Sequence, residues 1–555
     1  MKQIKKLISI MLTMAMALAM SVTAFAAEEN PDDPAKKEVT HTYEIYQIFT
    51  GDYADGVLSN IKWGQNGIGT KGEKVDKTVL DGLEDVTNNT SDTEKLAVIQ
   101  KYANLESAPI TTGNGTEYTG LTPGYYLVKD KDNSLNGEDV SYTLYVVQVV
   151  NNTLTFTPKA DIPTPDKKIV ESENKVTTNE ASIGDEVNYE ITGSMPTTIG
   201  DYKTYFYKFT DTLSKGLTYK ENSIKVTVNG KDVTKYFYKG VGTYSEATGT
   251  EIEVSIMDVK ALSLLTDPAV GAITKDTKVV LTYTATLNEN AVIAGDGNPN
   301  DVKLTYSNDP NHSGDGSTTP PENPEKPNPE HPTGESPEVE VVTYTTELTI
   351  LKTDEDNKFL PGVEFTLTGN GVNIVLVTEE TFTEAADGEY WKLKDGTYTK
   401  TAPTIADDET DNSDDYDSVD TKYTKTISVV AKGNGKTETN VVGTVMEDGT
   451  VTFKGLGAGE YTITETKTLP GYNTIDPIKF NLTFDASTTP MFKSDNDKVT
   501  VGDDNMLDTS IENKKGSLLP STGGIGTTIF YIVGAVLVIG AAILLVTKKR
   551  MSKEA

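Results

Sequence analysis

Apolar and polar residues alternate with a period of two over most of this chain, and the alternation gives way to apolar runs only at the two ends. Near the N-terminus, Lys2, Lys5 and Lys6 precede a predominantly apolar stretch from Leu7 to Met20 and the small-residue site Ala24-Phe25-Ala26. That layout predicts an export signal over residues 1–26 and a mature chain starting near Ala27. At the other end Ile529 to Val546 is apolar throughout and is followed by Lys548, Lys549 and Arg550. This predicts one transmembrane helix over 529–546 with its basic tail inside.

Between the ends the pattern is that of short strands. Tyr142-Thr143-Leu144-Tyr145-Val146 runs on to Val150, and Asn151-Asn152 reads as a turn into Leu154-Thr155-Phe156. One helix is expected from Asp92, capped by Ser91, with Leu96, Ile99, Tyr102 and Ala103 on one face. The first domain, 27–160, is therefore expected to be strand-rich with a helical insertion. Ile162-Pro163-Thr164-Pro165 leads into a second strand-rich block, 161–311, in which Ile224-Lys225-Val226-Thr227-Val228 meets an Asn229-Gly230 hairpin turn. Residues 312–340 are Pro, Glu, Gly and Thr with almost no apolar side chain, which predicts an exposed, extended linker. A third block, 341–515, has Asp448-Gly449 turning between Gly443-Thr444-Val445 and Thr450-Val451-Thr452-Phe453, and is a β-sandwich candidate. The terminal segment 516–555 completes the chain.

Charge and composition remove several function classes. A formal net charge of -33 would repel phosphates, which excludes nucleic acid and anionic membrane surfaces as partners. The chain has no cysteine, so disulfides cannot supply the resistance an exported protein needs. Three histidines, His41, His312 and His331, lie near the N-terminal edge or in linker sequence, and no phosphate-cradling glycine loop follows a strand. The chain is not expected to be an enzyme acting on a substrate, and no cofactor is expected. Ala406 to Asp420 crowds seven aspartates and one glutamate into fifteen residues. A calcium loop would need a Gly and a terminal Glu at offsets that are missing, so a solvated acidic loop is the reading adopted, with no metal site.

Leu519-Pro520-Ser521-Thr522-Gly523, the apolar span and the basic tail form one ordered constellation, and it resembles the cell-wall sorting signal of Gram-positive surface proteins. The resemblance implies that a sortase thiol attacks the carbonyl of Thr522, breaks the bond to Gly523 and holds the chain as an acyl-enzyme until an amine arrives. Thr155-Phe156-Thr157-Pro158-Lys159 resembles the pilin motif of sortase-assembled pili, with Thr157 where the family carries an aromatic residue. Carried over, Lys159 supplies the amine that accepts the Thr522 acyl group of another subunit. Taken alone, Lys159 reads rather as an ordinary exposed lysine after a strand, and it is its place at a domain boundary, followed by a second lysine feature the same family shares, that favours the acceptor role.

Two further groups of residues bear on the same family. Leu348-Thr349-Ile350-Leu351-Lys352-Thr353-Asp354 puts Lys352 on one strand face with Leu348 and Ile350. Tyr461-Thr462-Ile463-Thr464-Glu465-Thr466, followed by Leu469-Pro470-Gly471-Tyr472, resembles the E-box of Cna B-type domains, with Ile511-Glu512-Asn513 as a last strand. An inward glutamate alternating with Tyr461 and Ile463 is hard to explain as packing. The resemblance implies a Lys352–Asn513 isopeptide bond promoted by Glu465. In the second block, Asp166-Lys167-Lys168-Ile169, Phe209-Thr210-Asp211-Thr212-Leu213 and Leu304-Thr305-Tyr306-Ser307-Asn308-Asp309-Pro310 resemble the middle domain of backbone pilins. Here the implied bond joins Lys167 to Asn308 with Asp211 as the acid; Lys168 stays open, since a one-residue slip swaps faces. Leu121-Thr122-Pro123-Gly124-Tyr125-Tyr126 in the first domain has no glutamate at the E-box place, so no bond is expected there.

Together these residues are similar to the backbone (major) pilin of Spa-type sortase-assembled pili. The resemblance implies a mainly β fold of tandem Ig-like or Cna B-type β-sandwiches and a cell-surface shaft subunit. Its implied partners are a class C-type pilin sortase, a housekeeping sortase, other copies of itself, minor pilins, peptidoglycan and host surface ligands. The alternative is a monomeric peptidoglycan-anchored adhesin that uses the same domains to present a ligand site.

Overall fold

The computed structural model describes residues 40–516 and 525–551, apart from 56, 85–91, 136–137, 139, 159–160, 371–374, 407–409 and 433–437. The expected signal peptide, Lys159 and the motif Leu519 to Gly523 lie outside the described residues. Strand Tyr43–Ala54 carries apolar side chains on both faces and forms the middle of a five-stranded antiparallel sheet with Val57–Trp63, Thr111–Gly113, Glu117–Asp130 and Val146–Thr155. One face packs Ile48, Phe49, Trp63, Leu96 and Ile99 beneath the inserted helices; the other packs Tyr43, Ile45, Tyr126, Leu154 and Phe156. The helix expected from Asp92 spans Asp92–Ile99 and continues as a 3₁₀ turn, Gln100–Tyr102. A second helix, Lys77–Glu84, precedes it. The turn expected at Asn151-Asn152 is instead the interior of one strand: Asn152 takes φ 81° and pairs with Leu121 across an irregular register. An asparagine tolerates that left-handed backbone, so the strand bends there without reversing.

The middle domain is a sandwich of two seven-stranded sheets. Pro165–Glu171, Glu186–Gly193 and Val279–Leu287 are neighbours in one; Tyr207–Leu213 and Asn298–Ser307 are neighbours in the other. Strict alternation along Val279–Leu287 sends Val279, Leu281, Tyr283, Ala285 and Leu287 inward. The Asn229-Gly230 turn joins Lys225–Val228 to Lys231–Asp232, with φ of 49° and 73° at its two central residues. Both positive φ values belong to the turn type whose twist matches a hairpin, which is why Asn-Gly stands there.

The segment read as a free linker, 312–340, is laid on this domain. Thr333–Glu335 and Val339–Tyr344 both pair with Asn298–Ser307, and Val339–Tyr344 also runs parallel to Thr178–Glu180. Upstream of those strands, Lys235 and Glu322 meet at 2.6 Å, as do Lys326 and Glu253. Composition underestimated this stretch because its apolar Val339 alternates with Val341 just beyond it, Val341 lying in the middle core and Val339 packing against that core.

The C-terminal domain packs a six-stranded sheet on a five-stranded one. Thr346–Asp354 lies between Thr450–Leu456 and Leu507–Asn513 in the first; Gly459–Lys467 lies between Glu364–Asn370 and Ile478–Phe484 in the second. Asp448-Gly449 carries the chain from Glu438–Thr444 in one sheet to Thr450–Leu456 in the other, so it is a crossing between layers and not a hairpin within one. In the acidic loop, Tyr416 is buried and its hydroxyl donates to the Thr401 carbonyl at 2.9 Å, while Asp411 accepts from the Ser413 amide at 2.8 Å. Among the described residues no group of three or more acidic, His or Cys side chains could hold a metal ion.

A terminal helix spans Ile525–Met551. Its side chains are described only from 530 to 545, and among the described residues no helix is long and apolar enough to cross a membrane.

Candidate functional site

Strand Pro165–Glu171 alternates buried and exposed positions, and Lys167 falls on the buried side between Pro165 and Ile169. Its side chain is 0% exposed, whereas that of Lys168 is 31% exposed and pairs with Asp166 at 2.9 Å. The opposite sheet supplies the partners. Asp211 lies on the inward face of Tyr207–Leu213, and Asn300, on the neighbouring strand, pairs in register with Leu213. The Lys167 amine donates to Asp211 Oδ2 and, at 2.6 Å, to Asn300 Oδ1. The Tyr283 hydroxyl donates to Asp211 Oδ1 and accepts from Asn300 Nδ2, each at 2.6 Å. The Tyr189 and Tyr283 rings flank the amine, with centroids 5.5 and 6.0 Å from Nζ.

Neither charge is comfortable in this enclosure. Burial lowers the Lys167 pKa and raises that of Asp211, against the attraction between the two. A proton passed from lysine to aspartate leaves both groups neutral, which is the state a low-dielectric site favours. What results is a free amine against a carboxamide, with a carboxylic acid against the amine and one hydroxyl away from the carboxamide nitrogen.

Asn308, expected to be the partner, is elsewhere. It is fully buried past the end of its strand, where Nδ2 donates to the Leu135 and Val140 carbonyls at 3.0 and 3.3 Å and its own carbonyl accepts from Tyr142 N at 2.6 Å. Its role in the fold is to clamp Leu135, Val140 and Tyr142 of the first domain onto the middle domain, together with Asn311, whose side chain bonds Tyr145 N and the Thr143 carbonyl. Alternation through Val302, Leu304 and Tyr306 admits 298, 300 and 308 equally, and only the pairing of Leu213 with Asn300 separates them. Tyr283 was likewise missed, because an inward tyrosine in an alternating strand reads as core.

In the C-terminal domain Lys352 is 0% exposed on Thr346–Asp354, which runs parallel to Leu507–Asn513 with Lys352 opposite Ile511 and Asp354 opposite Asn513. The amine donates to the Ile511 carbonyl at 3.0 Å. Glu465, 5% exposed, comes from the facing sheet on the inward side with Tyr461 and Ile463. Asn513 Nδ2 donates to Glu465 Oε1 at 2.5 Å and to Thr468 Oγ1 at 2.8 Å, and Asn513 Oδ1 is buried with no hydrogen-bond partner among the described residues. A half-turn of that carboxamide would set its oxygen toward Glu465. Burial lowers the Lys352 pKa to about 8, with the Glu465 and Glu512 charges opposing.

The first domain also holds a buried lysine that alternation did not single out. Lys129 sits 2.6 Å from Asp132 and 3.3 Å from Glu44, so its contacts are with carboxylates and it is held as an ion pair.

Comparison with known proteins bears on what these sites serve. Residues 183–310 match the family described as Gram-positive pilin backbone subunit 2, Cna-B-like domain; residues 423–498 match a prealbumin-like fold domain; residues 511–553 match an LPXTG cell wall anchor motif. The trypsin-resistant surface T6 protein of Streptococcus pyogenes serotype M6 is 25% identical over 404 residues, covering 71% of this chain and 70% of that protein. Among solved structures, the T6 backbone pilin of serotype M6 S. pyogenes superposes with a TM-score of 0.45 at 14% identity, covering 87% of this chain and 97% of that chain. The Corynebacterium diphtheriae major pilin SpaA gives a TM-score of 0.41 at 17% identity, covering 86% and 95%.

Proposed function

We propose that this chain is a backbone pilin of a Gram-positive pilus, a structural subunit that polymerises with copies of itself and is held at the cell wall by an LPXTG anchor, and that the following covalent chemistry builds and locks it. A sortase cleaves between Thr522 and Gly523, and Lys159 of another copy takes the acyl group, so that the shaft is a chain of intersubunit amide bonds. Signal peptide 1–26 exports the subunit, and the helix containing 529–546 holds it at the outer face of the membrane until cleavage. A class C-type pilin sortase adds each subunit, a housekeeping sortase passes the last one to peptidoglycan, and minor pilins and host surface ligands complete the assembly.

Within each subunit two bonds lock the sandwiches, Lys167 to Asn300 and Lys352 to Asn513. The observation that carries this reading is the fully buried Lys167 amine 2.6 Å from the Asn300 carboxamide and against Asp211. The ammonium gives one proton to Asp211, the neutral Nζ attacks Cγ of Asn300, and the bond from Cγ to Nδ2 breaks. Of the two protons the lysine nitrogen loses, one stays on Asp211 and the other leaves with the ammonia. Glu465 is the corresponding acid for Lys352.

Such locks matter under load. A sandwich held by noncovalent forces alone is stable by only about 5–15 kcal/mol and opens when pulled. Changing Lys159 to Ala tests the polymer: denaturing gels of wall extracts are expected to show monomer only. A surviving high-mass ladder would rule out Lys159 as the acceptor.

A further inference from the structure

We propose that Tyr283 is a catalytic residue of the middle-domain cross-link, the proton relay that lets ammonia leave Asn300. The inference rests on the Lys167–Asn300 reading above and deepens it.

Amide nitrogen is a poor leaving group until it is protonated, so attack by Lys167 on Asn300 stalls unless a proton reaches Nδ2 as the carbon–nitrogen bond weakens. Asp211 is badly placed to deliver it alone. Its Oδ2 is occupied by the lysine amine and its Oδ1 by the tyrosine hydroxyl, and Asn300 Nδ2 is in contact with that hydroxyl. The four groups therefore form a closed ring of lysine amine, aspartate, tyrosine hydroxyl and carboxamide, whose nitrogen meets the hydroxyl and whose oxygen meets the amine. In the unreacted state protons point from Nδ2 to the hydroxyl and from the hydroxyl to Asp211.

Attack reverses that direction. Once Cγ becomes tetrahedral, Nδ2 regains a lone pair, and Tyr283 hands it the hydroxyl proton as the bond to Cγ breaks. The tyrosine recovers a proton from Asp211, which has taken in turn the two protons released by Nζ. At the end ammonia carries one of them, Asp211 keeps the other, and Tyr283 is unchanged. Both hydrogen bonds are short, and the pocket is sealed from water, which could otherwise carry the proton. Burial also holds the tyrosine hydroxyl in its protonated form.

The side chain reaches this place from the lysine's own sheet, on Val279–Leu287, while Asp211 and Asn300 come from the facing sheet. Closing the sandwich is thus what assembles the ring, so cross-linking follows folding. Among the described residues the C-terminal site has no hydroxyl bridging acid and amide in this manner. There Glu465 contacts Asn513 Nδ2 directly, and Thr468 Oγ1 touches Nδ2 alone.

The test is the rate at which the full chain loses ammonia, followed by intact mass after synthesis and by the cross-linked Lys167–Asn300 peptide. Tyr283→Phe keeps the ring beside the lysine and removes only the hydroxyl; its middle-domain bond is expected to form roughly a hundredfold more slowly while the C-terminal bond forms at the parent rate. An unchanged rate, even with a lowered melting temperature, would overturn the proposal and leave Tyr283 a packing residue. Should Tyr283→Phe fail to fold, a fluorotyrosine placed at 283 alone keeps the shape and makes the phenol more acidic, and the bond-forming rate must change with it; no change again overturns the relay. Failure of the underlying reading looks different: the parent chain itself would carry no Lys167–Asn300 peptide.

Discussion

The two lysine sites solve one problem with different geometry. In the middle domain Lys167 stands on one sheet and Asn300 and Asp211 on the other, so a bond there ties the two layers together. In the C-terminal domain Lys352 and Asn513 lie on adjacent parallel strands of one sheet, and only the acid, Glu465, reaches across. Each pair nonetheless links the strand on which the chain enters a domain to the long strand near its exit. Tension applied along the chain would then pass through the cross-link and bypass everything between. The difference lies in what the unreacted site must tolerate: Lys167 faces a carboxylate and two aromatic rings, whereas Lys352 has a backbone carbonyl at 3.0 Å.

That contrast is broken most severely by removing the acids. Asp211→Ala is expected to leave the middle domain one ammonia heavier and to strand a buried amine, a loss of about 3–5 kcal/mol beyond the missing bond. Glu465→Ala should also retain one ammonia, with a smaller fall in melting temperature, because the Ile511 carbonyl still receives the lysine. Equal losses in thermal melts would mean that the two enclosures do not differ as described. Next in size is the choice of asparagine. Asn300→Ala should lie only one ammonia below the mass of its own sequence, while Asn308→Ala should lie two below its own and lose about 1–3 kcal/mol through unpaired carbonyls at the joint with the first domain. The reverse outcome would restore Asn308 as the bonding residue.

The smallest effect is a pH dependence. In Asn513→Ala the Lys352 amine remains free, with a folded pKa of about 8 against an ordinary 10.5. Between those values the unfolded chain binds more protons than the folded one, so stability should rise as pH rises from about 8 toward 10.5. The parent is expected to lack this slope in denaturant titrations at a series of pH values, its Lys352 amine being spent in the proposed bond.

Period-two alternation made much of this legible. It put Lys167 inward with Ile169, Glu465 inward with Tyr461 and Ile463, and Lys352 inward with Ile350, and all three are buried. It could not choose among asparagines of the same parity, because strand register depends on the partner strand and leaves no trace in one sequence. Nor could composition foresee that a proline- and glutamate-rich stretch would add two strands to the middle sheet, since pairing uses backbone groups that every residue but proline carries. Asn151-Asn152 misled for a related reason: the residues that permit a turn also permit a bend within a strand.

The most direct measurement is the intact mass of the exported chain under denaturing conditions, with its cross-linked peptides identified. A mass two ammonias below that of the sequence is expected, with peptides joining Lys167 to Asn300 and Lys352 to Asn513. A mass equal to that of the unmodified sequence would contradict the claim that covalent bonds lock this subunit.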